Sequence, residues 1–243
     1  MLLCYCGTAF GWGKSGHDAI AYIAECNLTP RAKRNIARYL DHSIVYYASW
    51  MDKYRDTPEF RNVEHVSYVD ADMQLVDTLR KGKTNCVVEL MHAIDRLKDY
   101  RNMSDSLVRL NLMYVIHIVG DMHCPSHVKY PGCKSGRADL NGKKMSYHAM
   151  WDWGVLDGAH GWSYSEYRLL LDTFSKREKA GMAKGTPREW LYETAVACRV
   201  IYDWQRADGT YGKQFVTDTY LLPERQLILA SYRLAAVLND LFG

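Results

Sequence analysis

Apolar residues recur at intervals of three or four positions in several parts of the chain, and this spacing predicts amphipathic helices. One such segment carries Val87, Leu90, Ile94 and Leu97, and another runs from about Pro223 to Leu241. The strict alternation of apolar and polar residues that is typical of strands does not stand out. The pattern therefore predicts an all-α fold.

Two of the predicted helices begin with clear start signals. Thr29 is placed to cap a helix whose first residue is Pro30, a position that tolerates proline. Thr186 and Glu189, three positions apart around Pro187, match the capping box that begins a helix. We expect helices to start at both points.

A buried helix is predicted from Ser104 to His123. The residues expected on one face of it are Leu107, Leu110, Met113, Tyr114, His117 and Ile118. Connections rich in glycine and lysine lie near Lys81–Lys83 and from Tyr130 to Lys144, but neither separates two independent cores. No repeat of about 20 to 50 residues is present. Residues 12–243 are therefore predicted to form one domain.

Composition and charge exclude some classes of protein. The 243 residues are 48% hydrophobic and 24% charged, which is ordinary for a globular protein. A net charge of +3 is too small for a sequence-independent grip on duplex nucleic acid. No run approaches the roughly 18 to 20 apolar residues that cross a bilayer. We expect no stable membrane insertion. We also expect the protein to be a monomer.

The first eleven residues, MLLCYCGTAFG, have the composition of a truncated secretory signal peptide. Ala9 and Gly11 stand at the small-residue positions of a cleavage site, which would make Trp12 the mature amino terminus. The alternatives are a lipid anchor at Cys4 or Cys6 and an ordered amino-terminal arm. The signal-peptide interpretation predicts a secreted or periplasmic protein.

Five cysteines remain after residue 11, and their odd number and scattered spacing do not suggest a disulfide framework. They are Cys26, Cys86, Cys124, Cys133 and Cys198. One bridge between Cys124 and Cys133 and a set of free buried thiols are both compatible with this pattern.

Histidine and aspartate concentrate in the stretch HIVGDMHCPSH, residues 117–127. His117 and Asp121 are four positions apart, so on a helix they project from the same side, one turn from each other. Pro125 is expected to end the helix and let the chain turn His127 back towards that side, whereas His123 points elsewhere. This is the spacing of a metal clamp.

A second pair, His148 and Asp152, repeats the spacing of four. Further candidates elsewhere are Trp12, His17, Asp52, Arg55 and His65. Each has an ordinary explanation, since a lone histidine on an apolar helix face is more often a hydrogen-bonded core residue than a ligand. Burying several imidazoles and carboxylates together is costly unless cations hold them, and zinc accepts both kinds of donor.

Four motifs in this order resemble the zinc-dependent single-strand-specific nucleases of the S1/P1 type, which are related to bacterial zinc phospholipases C. The motifs are WGKSGH, SWMDKYR, HIVGDMHCPSH and HAMWD, and the resemblance extends from Trp12 to the carboxyl-terminal SYRLAAVLNDLF. It implies a single-domain, multi-helix fold around a trinuclear zinc centre.

The resemblance also implies a ligand set for each zinc ion. The first would be held by Asp52, His65, His117 and Asp121. The second would be held by His17, by the backbone amine and carbonyl of Trp12, and by Asp121 as a bridge. The third would be held by His127, His148 and Asp152. Removal of residues 1–11 is then required, because a free amine ligates zinc and an amide nitrogen does so poorly.

The chemistry implied is attack on phosphorus by a metal-activated hydroxide, with Asp52 orienting the nucleophile and Arg55 neutralising charge on the phosphoryl oxygens. Substrates would be single-stranded DNA and RNA, cut to 5′-nucleotides, and 3′-nucleotides. Two alternatives stay open: a zinc phospholipase C, although relatives of that type usually have glutamate where Asp152 stands, and a non-catalytic zinc-binding module.

The sequence departs from the family pattern at two places near the predicted site. Cys124 and Ser126 stand where an amide and a leucine are usual, so packing there is expected to differ. The residues after His65 lack the usual base-stacking aromatic, and Tyr68 with Asp70 or Asp72 is the candidate substitute. A basic stretch is interpreted as a solvated loop, with attraction of phosphates as the alternative; its residues are Lys129, Lys134, Arg137, Lys143 and Lys144.

Overall fold

Helices form most of the described chain, which confirms the all-α prediction. The computed structural model describes residues 12–77 and 83–243, so the predicted leader, residues 1–11, lies outside the described residues, as does part of the first connection. The helices are α1 (Gly13–Cys26), α2 (Pro30–Ile36), α3 (Ile44–Tyr47), α4 (Trp50–Lys53), α5 (Cys86–Leu97), α6 (Asp105–Asp121), α7 (Tyr147–Ala149), α8 (Val155–Ala159), α9 (Tyr164–Leu171), α10 (Lys176–Met182), α11 (Pro187–Cys198), α12 (Lys213–Thr219) and α13 (Leu221–Phe242). Turns of 3-10 helix occupy Tyr100–Asn102, Pro125–His127 and Arg199–Tyr202, and a π-helical turn occupies Met150–Gly154.

Both predicted helix starts are confirmed. The Thr29 hydroxyl accepts a hydrogen bond from the Ala32 amide at 3.1 Å, with Pro30 as the first residue of α2. At the start of α11 the backbone amide of Thr186 donates to the Glu189 carboxylate at 2.8 Å, and the Glu189 amide donates back to the Thr186 hydroxyl. These bonds satisfy amides that a helix start otherwise leaves unpaired.

The core is built around α6. Helix α5 packs along α6, while α1 and α13 pack against each other and against α6. Ile20, Leu90, Leu112 and Leu234 from these four helices are fully or almost fully buried in one hydrophobic cluster. Removal of such side chains from water is the main source of stability for an arrangement of this kind.

The prediction of one apolar face on α6 is wrong in detail. Leu107, near the start of the helix, is 50% exposed, whereas every residue from Asn111 to Asp121 is buried. A helix that other elements surround on all sides has no single apolar stripe. The helix also ends at Asp121, ahead of Pro125, which instead begins a 3-10 turn.

Short strands, which the sequence pattern did not reveal, pair in two small sheets. The strands are β1 (Ser67–Tyr68), β2 (Val128–Lys129), β3 (Arg137–Leu140), β4 (Lys143–Ser146) and β5 (Thr210–Tyr211). β1 pairs in parallel with β2, and β3 lies between an antiparallel β4 and a parallel β5. The interpretation of residues 130–144 as a plain connection is therefore wrong for its second half.

The β3–β4 hairpin closes through Asn141 and Gly142. Their φ angles are 54° and 84°, so both adopt the left-handed conformation that a two-residue hairpin turn of this type requires. Asn-Gly is a strong hairpin signal. The strand before the turn, Arg137–Leu140, alternates charged and apolar residues, but Lys143–Ser146 does not continue the alternation, so the periodic signal is short.

The pairing of β1 with β2 matters most for function. It sets Ser67 opposite Val128 and Tyr68 opposite Lys129, so the segments that carry His65 and His127 run side by side. All five described cysteines are free, Cys124 and Cys133 included. Among the described residues, no helix is long and apolar enough to cross a membrane.

Candidate metal centre

The last turn of α6 supplies the centre of the site. His117 Nε2 lies 2.9 Å from Asp121 Oδ2, as the spacing of four predicted. The other ring nitrogen of His117, Nδ1, lies 2.7 Å from the Ala48 carbonyl oxygen. Because a carbonyl only accepts, Nδ1 carries a proton, and Nε2 is the ring nitrogen that would bind a metal in place of its proton.

Two residues from outside α6 complete a first group. His65 Nδ1 lies 3.1 Å from Asp121 Oδ2 and 3.3 Å from Asp52 Oδ1. Asp52, on α4, is buried, and its carboxylate is 3.8 Å from His117 Nε2. Asp52, His65 and His117 offer ligand atoms that all lie within 4.8 Å of one another.

His17, on α1, joins the site from the opposite side of Asp121. Its Nε2 is 3.3 Å from Asp121 Oδ1, and its ring stacks on that of His117 with centroids 4.3 Å apart. A Cβ atom at Gly120 would lie 2.9 Å from His17 Nδ1, so this close approach requires glycine. Trp12 is fully buried, and its indole N–H donates to the Gly120 carbonyl at 2.7 Å.

A third group forms where the Pro125–His127 turn meets the π-helical turn. His127 Nε2 lies 3.3 Å from Asp152 Oδ1, and His148 Nε2 lies 3.1 Å from Asp152 Oδ2. The two imidazole rings stack with centroids 4.9 Å apart. His127 also approaches Asp121 Oδ1 at 3.3 Å through Nδ1, which links this group to the others.

The sequence departures at Cys124 and Ser126 fall directly on this third group. The Ser126 hydroxyl donates to Asp152 Oδ1 at 2.6 Å, and the Cys124 thiol donates to the same oxygen at 3.1 Å. Cys124, His127 and Asp152 also satisfy the spacing of a metal site. Neither residue was among the predicted site residues, although the unusual CPSH sequence was the signal that could have indicated them.

The buried polar atoms of this region fit a cation. Five predicted ligands each have a ring nitrogen or carboxylate oxygen that is buried and has no hydrogen-bond partner within the described chain; these atoms are His17 Nε2, His65 Nε2, Asp121 Oδ1, His127 Nε2 and Asp152 Oδ2. Leaving such groups unpaired is costly. A mixture of imidazole and carboxylate donors suits zinc.

The imidazoles and carboxylates of the site shift one another's pKa values. Burial lowers the pKa of His117, but the carboxylates of Asp121 and Asp52 outweigh burial and raise it to about 9. Burial favours the neutral acid at Asp121, yet the neighbouring imidazoles hold its pKa well below the usual range. The pKa of His17 is lowered by burial and by the charge on His117. The carboxylate of Asp121 is therefore ionised and ready to bind a cation.

Two predicted positions have other surroundings. His123 points away from the cluster, as expected: its Nδ1 donates to the Val119 carbonyl at 2.7 Å, and its Nε2 accepts from Arg233 at 2.8 Å. Arg55 is half-buried in the turn that follows α4, three residues after Asp52.

The loop interpretation fails for Lys129, which lies in β2. Its ammonium group donates to the Ser126 carbonyl at 3.0 Å and approaches His148 Nδ1 at 3.4 Å, and burial lowers its pKa. The side chain of Asp70 accepts the amides of Asp72 and Gln74 at 2.9 and 2.8 Å, which stabilises a turn. One oxygen of the Asp70 carboxylate therefore already accepts two hydrogen bonds from the backbone.

Comparison with known proteins identifies the family. A family model described as S1/P1 Nuclease matches residues 12–243. Endonuclease 2 of Arabidopsis thaliana is 26% identical over 265 residues, which cover 96% of this chain and 91% of the relative. Nuclease S1 of Aspergillus oryzae is 28% identical over 197 residues, which cover 74% of this chain and 67% of the relative. Nuclease P1 of Penicillium citrinum is 24% identical over 275 residues, which cover 96% of this chain and 98% of the relative. The resemblance is thus confirmed, and the chain belongs to the S1/P1 nuclease family.

Proposed function

We propose that this chain is a zinc-dependent phosphodiesterase that hydrolyses single-stranded DNA and RNA and releases phosphate from 3′-nucleotides. The observation that carries the proposal is the set of buried imidazole and carboxylate atoms that face one another without hydrogen-bond partners in the described chain. The names of the relatives, nucleases and endonucleases, support a nucleic acid substrate.

We propose that the three groups of donors hold three zinc ions. The ligands are Asp52, His65, His117 and Asp121 for the first, His17, Asp121 and the backbone amine and carbonyl of Trp12 for the second, and His127, His148 and Asp152 for the third. The hydrogen bond from the Trp12 indole to Gly120, the neighbour of Asp121, supports a role for the Trp12 backbone.

Bound zinc lowers the pKa of a coordinated water and polarises the phosphoryl group. The residues of the chain then orient the reactants. The Asp52 carboxylate, 3.3 Å from His65, is suited to hold the attacking water in line with phosphorus. The guanidinium of Arg55 is proposed to neutralise charge that builds on the phosphoryl oxygens, for which a planar, permanently charged fork is well suited.

We also infer that residues 12–243 act as one domain, and the family match over that range supports this. A monomeric state is expected and is checked by analytical ultracentrifugation. Secretion or export to the periplasm rests on the composition of residues 1–11. Amino-terminal sequencing of the exported protein should find Trp12 first, and a form that keeps residues 1–11 should bind less zinc.

The first test is metal removal. Processed protein is assayed on single-stranded DNA, duplex DNA, RNA and 3′-AMP before chelation, after chelation and after zinc is restored. We expect chelation to abolish hydrolysis and zinc to restore it, with single strands preferred over duplex. Hydrolysis that persists after complete metal removal would refute the mechanism.

Asp121→Asn provides a sharper test, because Asp121 is shared by two ligand sets. We expect loss of zinc, measured by emission spectroscopy, together with loss of turnover. Asp172→Asn is the matched control, since Asp172 is a buried carboxylate that pairs with Lys179 and accepts from Tyr232 away from the site. Retained zinc without turnover in the wild type would support the binding module, and preferential hydrolysis of lecithin would support the phospholipase.

A further inference from the structure

A wide groove adjoins the proposed metal centre. It encloses about 1130 Å³ between the start of α1, the α3–α4 segment and the π-helical turn. Asp52 lines this groove and also faces His65 and His117, so the groove and the metal centre are continuous. The volume exceeds the roughly 300–1,000 Å³ of typical small-molecule sites, which favours a segment of polymer as the occupant.

Aromatic side chains form both walls of this groove. Tyr46 and Trp50 stand on one wall with ring centroids 5.8 Å apart, and Trp153 stands on the other. Tyr22 and Tyr164 meet edge to face at 5.0 Å farther along. Tyr46 is 53% exposed, and Trp50 and Trp153 are only partly buried. Ring faces that remain open to solvent are suited to stacking with planar groups of a ligand.

The lining of the groove carries two lysines, Lys14 and Lys53, and four carboxylates, so it presents no net positive charge. Lys53 lies 5.0 Å from the ring centroid of Tyr54, and Lys143, which is outside the lining, lies 4.2 Å from the ring centroid of Trp153 and leaves the opposite face of that indole for a ligand. An acidic group on the floor is already paired, because Asp18 forms an ion pair with Lys14.

The remaining acids are also engaged. Glu25 accepts from the Ser43 hydroxyl at 2.8 Å and from the Ile44 amide at 3.2 Å. Asp157 is within hydrogen-bond distance of the Ser15 hydroxyl, at 3.4 Å. These hydrogen bonds position the carboxylates but do not remove their charge, so stacking on the exposed rings, and not attraction of phosphates, would hold a ligand in this groove.

We propose that this groove binds the nucleotides that flank the scissile phosphate of a single strand, with bases stacked on Tyr46, Trp50 and Trp153. The inference rests on the proposed function and adds the path of the substrate. Stacking needs bases whose faces are free, and in a duplex those faces are covered by neighbouring base pairs. The groove would therefore contribute to the preference for single strands with little dependence on base sequence.

The test uses zinc-loaded protein and a fluorescent single-stranded oligothymidylate whose phosphorothioate linkages resist hydrolysis. Tyr46→Ala and Trp153→Ala are each expected to weaken binding, measured by anisotropy, roughly 5- to 100-fold, the range for loss of one stacked base. Tyr46→Phe and Trp153→Phe keep a ring and should restore most of the affinity. Zinc content and Tm, measured for every variant, exclude loss of the metal centre or of the fold.

Tyr192→Ala is the matched control, because Tyr192 is an aromatic residue of similar exposure, 45%, on α11. It should leave binding unchanged. In steady-state assays the two groove variants should lose more kcat/KM on a cleavable oligomer than on 3′-AMP. Unchanged oligomer binding in both variants, or a selective loss of lecithin hydrolysis, would overturn the inference.

Failure of this inference differs from failure of the proposed function. If the wild type cleaves single strands and the groove variants bind the oligomer as well as the wild type does, the groove is not the binding site but the nuclease activity stands. If the wild type shows no turnover but binds the oligomer through Tyr46, the groove is the binding site but the proposed hydrolase function is rejected.

Discussion

Two imidazoles of the site, His117 and His127, are oriented by backbone carbonyls. His117 Nδ1 is 2.7 Å from the Ala48 oxygen, and His127 Nδ1 is 2.7 Å from the His65 oxygen. A hydrogen bond of this kind determines which ring nitrogen carries the proton and prevents rotation of the ring. The opposite nitrogen is then directed at the metal position at no further entropic cost.

Ser126 performs a comparable task for Asp152, and this gives a prediction at the scale of one residue. Ser126→Ala removes the 2.6 Å bond to Asp152 Oδ1 and should lower the zinc affinity of the third group about 10- to 100-fold. Titration against a chromophoric chelator measures the change.

The control for Ser126 is Ser231→Ala. Ser231 is also fully buried, but its hydroxyl donates to the Leu227 carbonyl within α13. The control should bind zinc as the wild type does. Equal zinc affinity in Ser126→Ala and the wild type would show that Asp152 is positioned without the hydroxyl.

At the scale of elements, several helices begin at a residue whose side chain accepts a hydrogen bond from a free amide of the first turn. Within residues 12–77 and 83–243, three starts carry complete capping boxes, at Ser163 with Glu166, at Ser175 with Glu178, and at Thr186 with Glu189. The last of these matters most for the core, because α11 buries Trp190 and Leu191. Local hydrogen bonds thus determine where a packed helix can start.

Thr186→Ala should therefore lower the free energy of unfolding by about 1 kcal/mol. The alanine removes the acceptor for the Glu189 amide but leaves the helix sequence unchanged. Urea denaturation followed by circular dichroism measures the effect. Thr217→Ala, whose hydroxyl bonds to the Lys213 carbonyl within α12, should change stability less; an equal loss in both would contradict the capping argument.

At the scale of the whole molecule, a buried contact ties the end of α6 to α13. Arg233 donates to His123 and also pairs with Glu193 of α11, so three elements meet there. Burial and the Arg233 cation lower the pKa of His123 from 6.5 to about 3. His123 therefore stays neutral in the folded protein at pH values where the unfolded chain binds a proton.

This shift predicts how stability depends on pH. The folded-state pKa of His123 lies below the unfolded-state value. His123 therefore does not lower the free energy of unfolding above pH 6.5, and it lowers that free energy increasingly as pH falls from 6.5 towards about 3. In zinc-free protein, His123 should lower the free energy of unfolding by about 1.4 kcal/mol for each pH unit of decrease within that window.

His123→Gln keeps an acceptor for Arg233 and a donor for the Val119 carbonyl but does not titrate. Urea denaturation between pH 4.5 and 7, at about half-unit steps, should give a shallower slope for this variant than for the wild type. Parallel slopes would show that His123 already titrates in the folded state.

The residue types and local spacing of the site could be predicted from the sequence by itself. His117 with Asp121, and His148 with Asp152, are each four positions apart and meet as predicted, at 2.9 and 3.1 Å. The geometry of α6 brings the first pair together, whereas His148 lies in α7 and Asp152 in the following π-helical turn, so the second pair meets in a helical segment that is not regular α-helix. Capping residues also predicted helix starts, since their hydrogen bonds join neighbours.

Only the tertiary structure decided which distant groups meet. His65 reaches Asp121 across 56 positions because β1 pairs with β2, a pairing between strands of two residues that leave no periodic signal. The bonds from Cys124 and Ser126 to Asp152, and the groove between Tyr46 and Trp153, likewise depend on how helices pack. Local sequence determines what each segment offers, whereas the burial of a shared core determines which segments lie side by side.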